Sequence, residues 1–226
     1  MTNFVESFKN STRKTRKDLN RKLMYLRIKD KNFTIISNDC WGGEVYKDLG
    51  LEYTTPFVGI RLFAPCYIKL LKNIKEYIES PLTWTDVSRY NSVNQEREKR
   101  FFPIGLLRDD VEIHFFHEAS EAQAQEKWNR RAKRINWDNL FIKFAGDKDL
   151  CNEQLIEEFD ELDFPHKICL TAKEYSQLKS TIFVKNYVIN GATMYDISRK
   201  DFDVAGWLNK EGGQFSTVQR LINKLI

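Results

Sequence analysis

The segment Ser37-Asn38-Asp39-Cys40-Trp41-Gly42-Gly43 brings a hydroxyl, a carboxamide, a carboxylate, a thiol and two glycines together in one short stretch. A thiol or hydroxyl beside a glycine-rich turn is what nucleophilic acyl chemistry requires, with Cys40 or Ser37 as the attacking group. Asn38 and the backbone amides of Gly42 and Gly43 could then stabilise a developing oxyanion or cradle an anion. A cysteine at a helix N-terminus is expected to have a lowered pKa and more thiolate character. The same residues also make an ordinary β–α turn around a small buried thiol, and the sequence leaves that alternative open.

A nucleophile needs a base. The chain has only three histidines, and two of them fall in Glu112-Ile113-His114-Phe115-Phe116-His117. On a strand this spacing puts them on opposite faces, so they are poor partners for one metal ion. His117, at the strand end, is the better general base, and His114 is the alternative. A third group is Lys127-Trp128-Asn129-Arg130-Arg131. Arg130 and Arg131 offer forked donors for a phosphate or carboxylate, beside Trp128. The triplets Asp147-Lys148-Asp149 and Asp201-Phe202-Asp203 have the form that metal-dependent glycosyltransferases use. Such pairs recur by chance in a chain with this many acidic residues, and the second reads as helix-start chemistry.

These groups must be positioned by a scaffold. Phe33-Thr34-Ile35-Ile36 reads as a buried strand, and Gly42-Gly43 breaks the chain before a helix from Glu44 to Leu49. That junction lies where open α/β sheets bind ligands. Helices are expected at 10–28, capped by Asn10, Ser11 or Thr12, and at 65–78, 119–135, 152–162 and 215–226. Strands are expected at 104–107 and 111–116, separated by Arg108-Asp109-Asp110 as a hairpin or as two edge strands, and at 140–144, 168–171 and 182–188. Residues 80–100 show no strong periodicity. The alternation predicts a single-domain α/β fold: a mostly parallel, mixed sheet with helices on both faces, a Rossmann-like sandwich. Residues 1–30 form a basic N-terminal helix, part of or appended to the domain, and 31–226 the α/β domain.

Composition narrows the classes. The 226 residues are 42% hydrophobic and 13% aromatic, enough for a sizeable core. The four cysteines show no metal-ligand spacing, so no metal is expected. No leader-like start and no run of about 18 apolar residues is present, and reduced thiols suit a cytoplasmic protein. Charge is uneven: residues 9–31 carry ten Lys/Arg against Asp18 and Asp30, a net +8 that leaves −4 on the rest of a +4 chain. The basic helix would suit peripheral contact with the inner face of a membrane, or it is a solvated helix packed by its leucines. The acidic remainder argues against nucleic acid. There is no phosphate-binding glycine loop, no GxSxG elbow, no terminal DxxH of a serine esterase and no hexapeptide repeat.

Taken in order, the segments resemble a bacterial family filed as domain of unknown function 1919. They are Phe33 to Gly43, then Gly50-Leu51-Glu52-Tyr53-Thr54-Thr55-Pro56-Phe57-Val58-Gly59, then Ile113 to His117, then Lys127 to Arg131, then Arg134-Ile135-Asn136-Trp137-Asp138-Asn139-Leu140. The likeness spans roughly residues 20–190, and Glu118 stands where an aromatic residue is expected. The resemblance implies an α/β sandwich, and marks the Asn38/Cys40/Gly43 loop, the His114/His117 strand and the Trp128/Arg130/Arg131 helix as hallmarks. Members are usually encoded among capsule or exopolysaccharide biosynthesis genes, and some are labelled acetyltransferases. The resulting expectation is transfer of an acetyl group from acetyl-CoA to a sugar or lipid-linked oligosaccharide. The alternatives are a nucleotide-sugar-dependent glycosyltransferase and a non-catalytic sugar-binding component of the assembly machinery.

Overall fold

The computed structural model describes residue 15 and residues 17–219. In chain order the elements begin with α1 (residues 17–27), β1 (Thr34–Ser37), α2 (Trp41–Leu49), α3 (Ala64–Lys72) and α4 (Ile74–Glu79). They continue with β2 (Leu82–Trp84), α5 (Asn91–Lys99), β3 (Ile104–Leu107), β4 (Val111–His114) and α6 (Glu121–Ala132). The last are β5 (Leu140–Ala145), α7 (Glu153–Glu161), β6 (Lys167–Thr171), β7 (Thr181–Phe183), α8 (Gly191–Ser198) and α9 (Val204–Leu208). Four strands make a parallel sheet in the order β1-β5-β6-β7, and three make a small antiparallel sheet in the order β2-β3-β4. This is the mixed α/β fold with a parallel main sheet that the sequence predicts.

Strand side chains alternate between faces, so each central strand feeds two cores. Ile35, Phe141, Ile168 and Leu170 pack with Trp41, Val45, Tyr195 and Trp207 of α2, α8 and α9. Ile36, Ile142, Phe144 and Cys169 pack with Tyr67, Leu71, Ile156 and Phe159 of α3 and α7. Burying each large side chain contributes on the order of 1.5–3 kcal/mol. Tyr67 also reaches between two strands: its hydroxyl lies 3.0 Å from the carbonyl oxygens of both Ile36 and Lys143.

Several elements differ from expectation, each for a local reason. The helix expected over 65–78 is two helices, because Asn73 leaves helical geometry at φ −143°, ψ 49°. α2 starts at Trp41, so Gly42 and Gly43 lie within its first turn. β2 and α5 arise in the stretch without periodicity. α5 buries only Val93 and is fixed by polar contacts, with the Asn94 carboxamide bonded to both backbone groups of Ser88. The strand expected over 182–188 is only β7, and the segment after it turns into α8 and α9. Asp203 stands at the N-cap position of α9, but its carboxylate pairs with Arg27 and makes no capping hydrogen bond. The caps expected at Asn10, Ser11 and Thr12 and most of the helix expected over 215–226 lie outside the described residues.

α1 is docked through its charges. Arg21 bonds Asp48 at 2.6 Å and Arg27 pairs with Asp203, while Lys29, just past the helix, meets Glu211 at 2.6 Å. Much of its described basic character is thus matched by acids of the same chain, while Lys22, Tyr25 and Leu26 face outward. Among the described residues, no helix is long and apolar enough to cross a membrane.

The outer edge of β1 is occupied by side chains. The Ile35 amide donates to the Tyr46 hydroxyl at 2.9 Å, and Thr54 Oγ1 donates to the Phe33 carbonyl at 2.6 Å. The two hydroxyls lie 2.7 Å apart, and burial pushes Tyr46 up to about 12.

Candidate functional site

The loop leaving β1 divides into a buried half and a cleft-facing half. In the buried half, Ser37 is fully enclosed, its Oγ donating to the Asp39 carbonyl at 2.7 Å and accepting from the Gly42 amide at 3.2 Å. Gly42 packs so closely on β1 that an added Cβ would meet Ser37 Oγ at 2.9 Å and Ile35 Cγ2 at 3.0 Å. Asn38 is also fully buried, its Oδ1 accepting from the Ala145 amide at 2.9 Å across to β5. These three therefore hold the strand–helix junction together. Ser37 cannot serve as an exposed nucleophile in this arrangement, the Gly42 amide is already engaged, and Asn38 lies fully buried with its Nδ2 unpaired.

Asp39 sits at the centre of a buried charge cluster. Both of its oxygens lie 2.9 Å from Lys143 Nζ, and Oδ2 lies 3.0 Å from Lys148 Nζ. Oδ1 also accepts from the Trp41 amide at 3.1 Å, capping α2. Burial alone would raise this carboxyl, but the two lysines overcome it and hold Asp39 well below the usual carboxylate range. Lys148 is further bonded to the Ile189 carbonyl at 2.9 Å. The Asp147-Lys148-Asp149 triplet is thus not a metal pair. Asp147 Oδ2 accepts the Ala172 and Lys173 amides, its Oδ1 accepts the Tyr175 hydroxyl, and Asp149 faces Lys148. Among the described residues no group of three potential ligands gathers at all. The signal that the sequence reading passed over was Lys143, a lone cation inside the apolar run Leu140–Ala145.

Cys40 and Gly43 face the other way, into a cleft of about 240 Å³ between α2 and α6. The segment Tyr53–Gly59 forms one wall, and His117, Glu118, Lys127 and Arg131 close it. Gly59 adopts φ +74°, and a Cβ there would meet the His117 ring at 3.2 Å, so the imidazole lies directly against the glycine backbone. Lys127 pairs with Glu118 at 2.5 Å, which explains a carboxylate in place of the expected aromatic residue. Arg131 is half-buried, its guanidinium 5.1 Å from the centre of the Tyr53 ring and donating to the Val58 carbonyl at 3.3 Å. Burial pulls its pKa down while Glu118 pulls it up, and it remains charged. Arg134 steadies the same wall by pairing with Glu52 at 2.7 Å.

Cys40 corrects one expectation. It occupies the N-cap position of α2, yet burial, followed by the Asp39 charge, pushes its thiol up rather than down. The thiol is therefore not held as a thiolate.

Three further candidates lie elsewhere. His114 is fully buried, with Nε2 2.6 Å from Glu112 Oε1 and its ring packed against the edges of Phe63, Tyr90 and Phe102. Burial lowers its pKa against the pull of Glu112, and it belongs to the core of the hairpin side rather than to the cleft. Trp128 is buried against Phe57 and Phe115 and anchors α6. Arg130 is exposed and pairs with Glu126 at 3.4 Å. A larger and more open depression of about 510 Å³, lined by Val87, Arg97 and Phe101 among others, holds none of the candidate groups. Of the residues singled out by sequence, the structure brings Cys40, Gly43, His117 and Arg131 to one place. Tyr53, Val58 and Gly59 were missed as cleft residues because nothing in their local spacing announces a wall.

The sequence is similar over 220 residues to an uncharacterized protein of Haemophilus influenzae, at 30% identity, covering 92% of this chain and 98% of that one. It also matches the family described as domain of unknown function (DUF1919) over residues 10–209, which include every residue of the cleft. The chain belongs to the DUF1919 family.

Proposed function

We propose that this protein transfers an acetyl group from acetyl coenzyme A to a hydroxyl of a sugar or lipid-linked oligosaccharide during assembly of a surface polysaccharide, with the cleft between α2 and α6 as its reaction site. The observation that carries the reading is the meeting of Gly43, His117 and Arg131, from three separate segments, in that one cleft. The polysaccharide setting and the acetyl donor rest on the family resemblance alone.

Direct transfer is favoured over a thiol-borne intermediate, because burial and then the Asp39 charge disfavour the Cys40 thiolate. In the direct route His117 takes the proton from the sugar hydroxyl as its oxygen bonds to the acyl carbon. The carbon–sulfur bond of the thioester then breaks. The coenzyme leaves as a thiolate and takes the proton from the imidazolium. Gly43, which lines the same cleft on the first turn of α2, is the candidate to steady the oxyanion through its amide.

The test is O-acetylation of sugar acceptors, followed by release of free coenzyme thiol. His117→Ala is expected to lose turnover by 10²-fold or more, on the order of a general-base contribution. Cys40→Ala should keep most of it. Full activity in His117→Ala overturns the reading. Thermal protection by nucleotide-sugars with manganese, and none by acetyl coenzyme A, would replace it with glycosyl transfer.

A further inference from the structure

We infer that the cleft contains a subsite for a phosphate carried by the sugar acceptor, with Arg131 as its receptor. This deepens the proposed function and rests on the cleft being the reaction site.

The argument is one of charge matching. Four ionised groups line the cleft: Glu44, Glu118, Lys127 and Arg131. Glu44 is paired with Lys47 at 3.2 Å, and Glu118 with Lys127 at 2.5 Å. Arg131 is left over. Among the described residues, no carboxylate lies within ion-pair distance of it, and its hydrogen bond goes to the neutral Val58 carbonyl. A half-buried guanidinium that no carboxylate touches is costly, because burial lowers its pKa more than the nearby charge of Glu118 raises it. The fold nevertheless fixes it in place, between the Tyr53 ring and the Val58 carbonyl. A held fork of donors with one partner supplied by a carbonyl is a preorganised receptor for an oxyanion.

Two further features point to the same ligand. The first turn of the nine-residue helix α2 reaches the cleft at Gly43, so its positive end adds to the field of Arg131. His117 lines the same cleft, so a sugar hydroxyl can lie against it while a phosphate on that sugar meets Arg131. The volume of about 240 Å³ is below the usual range of about 300–1,000 Å³ for drug-sized ligands, so the cleft itself takes one phosphorylated sugar unit and the thioester end of the donor, with the coenzyme's nucleotide outside it.

The subsite is tested by calorimetric titration of the full chain with inorganic phosphate, a hexose 1-phosphate, a hexuronic acid, a neutral hexose and a nucleotide-sugar. The expected result is saturable binding of the hexose phosphate with a Kd of about 1 mM or tighter, and weaker binding of phosphate. The neutral hexose should bind at least tenfold more weakly. Arg131→Gln should lose the phosphate preference at least tenfold, Arg131→Lys should keep part of it, and the exposed Arg130→Gln should bind like the unaltered protein. If Arg131→Gln fails to fold, the Gly43 amide resonance of the unaltered protein provides the readout, and it should shift on adding phosphate. Binding of the hexuronic acid or the nucleotide-sugar as tightly as the hexose phosphate overturns the inference, as does a preference that survives Arg131→Gln. Phosphate binding without acetyl transfer leaves the subsite standing and removes the acyl reading. Acetyl transfer indifferent to the acceptor's phosphate does the reverse.

Discussion

Two charged regions meet at the end of β1, and adjacent residues belong to different ones. Asp39 turns inward to Lys143 and Lys148, where every charge has a partner and almost no surface is exposed. Cys40 turns outward to the cleft, where Arg131 has no carboxylate partner among the described residues and His117 is exposed. The inward cluster holds the junction of β1, β5 and α2. The outward one leaves a half-buried cation whose hydrogen bond goes to a neutral carbonyl. The difference teaches that the number of ionisable groups says little about function, and the balance among them says more.

The inward cluster should break most severely. Asp39→Asn removes the carboxylate shared by both buried lysines, and a loss of about 3–5 kcal/mol is expected in urea unfolding. The same experiment has a pH signature. Because the Asp39 carboxyl is held below its ordinary value of 3.8, its contribution is fully present above that value. It is lost as the pH falls towards the lower native value, and the variant should lack that part of the acid limb. Next comes the glycine pair. Gly42→Ala forces a methyl group against Ser37 and Ile35 and should cost about 1–3 kcal/mol. Gly43→Ala meets only Val58, at 3.4 Å. It should fold with unchanged stability or gain up to about 1 kcal/mol, while narrowing the cleft.

The two histidines sharpen the comparison further. Burial keeps His114 neutral by lowering its pKa, so its contribution is present above its ordinary value of 6.5 and is lost as the pH falls below it. The difference in urea midpoint between the unaltered protein and His114→Gln should therefore shrink between pH 7.5 and 5.5. His117→Ala, on the exposed side, should change stability by no more than about 0.5 kcal/mol while removing turnover. A large stability loss in this last variant would erase the distinction between the two regions.

The elements most legible in the sequence were those with a strong local signature. α6 begins where Ser120 caps it, and its basic residues crowd its end. The hairpin turns through Arg108 and Asp109, both left-handed. α5 was illegible because its stabilisation comes from Ser88 and Asn94 contacts rather than from an apolar face. In the site, the individual hallmarks could be read, but their sorting could not. Ser37, Asn38 and Gly42 sit beside Cys40 and Gly43 in the chain and differ only in which way they turn. His114 and His117 are three residues apart, yet one ends a strand inside an aromatic box and the other lies beyond it against Gly59. Orientation of this kind is settled by long-range packing.

The sealed edge of β1 has a consequence for assembly. Exposed strand edges invite pairing with other chains. Tyr46 and Thr54 take up the hydrogen-bonding positions of Phe33 and Ile35 that an added strand would use. The main sheet is therefore closed to growth on the β1 side, and any strand exchange between copies of this protein would have to begin at the opposite margin, where β7 offers only three residues. Removing both hydroxyls would open a register of backbone groups beside the cleft, and colloidal behaviour would change before chemistry did.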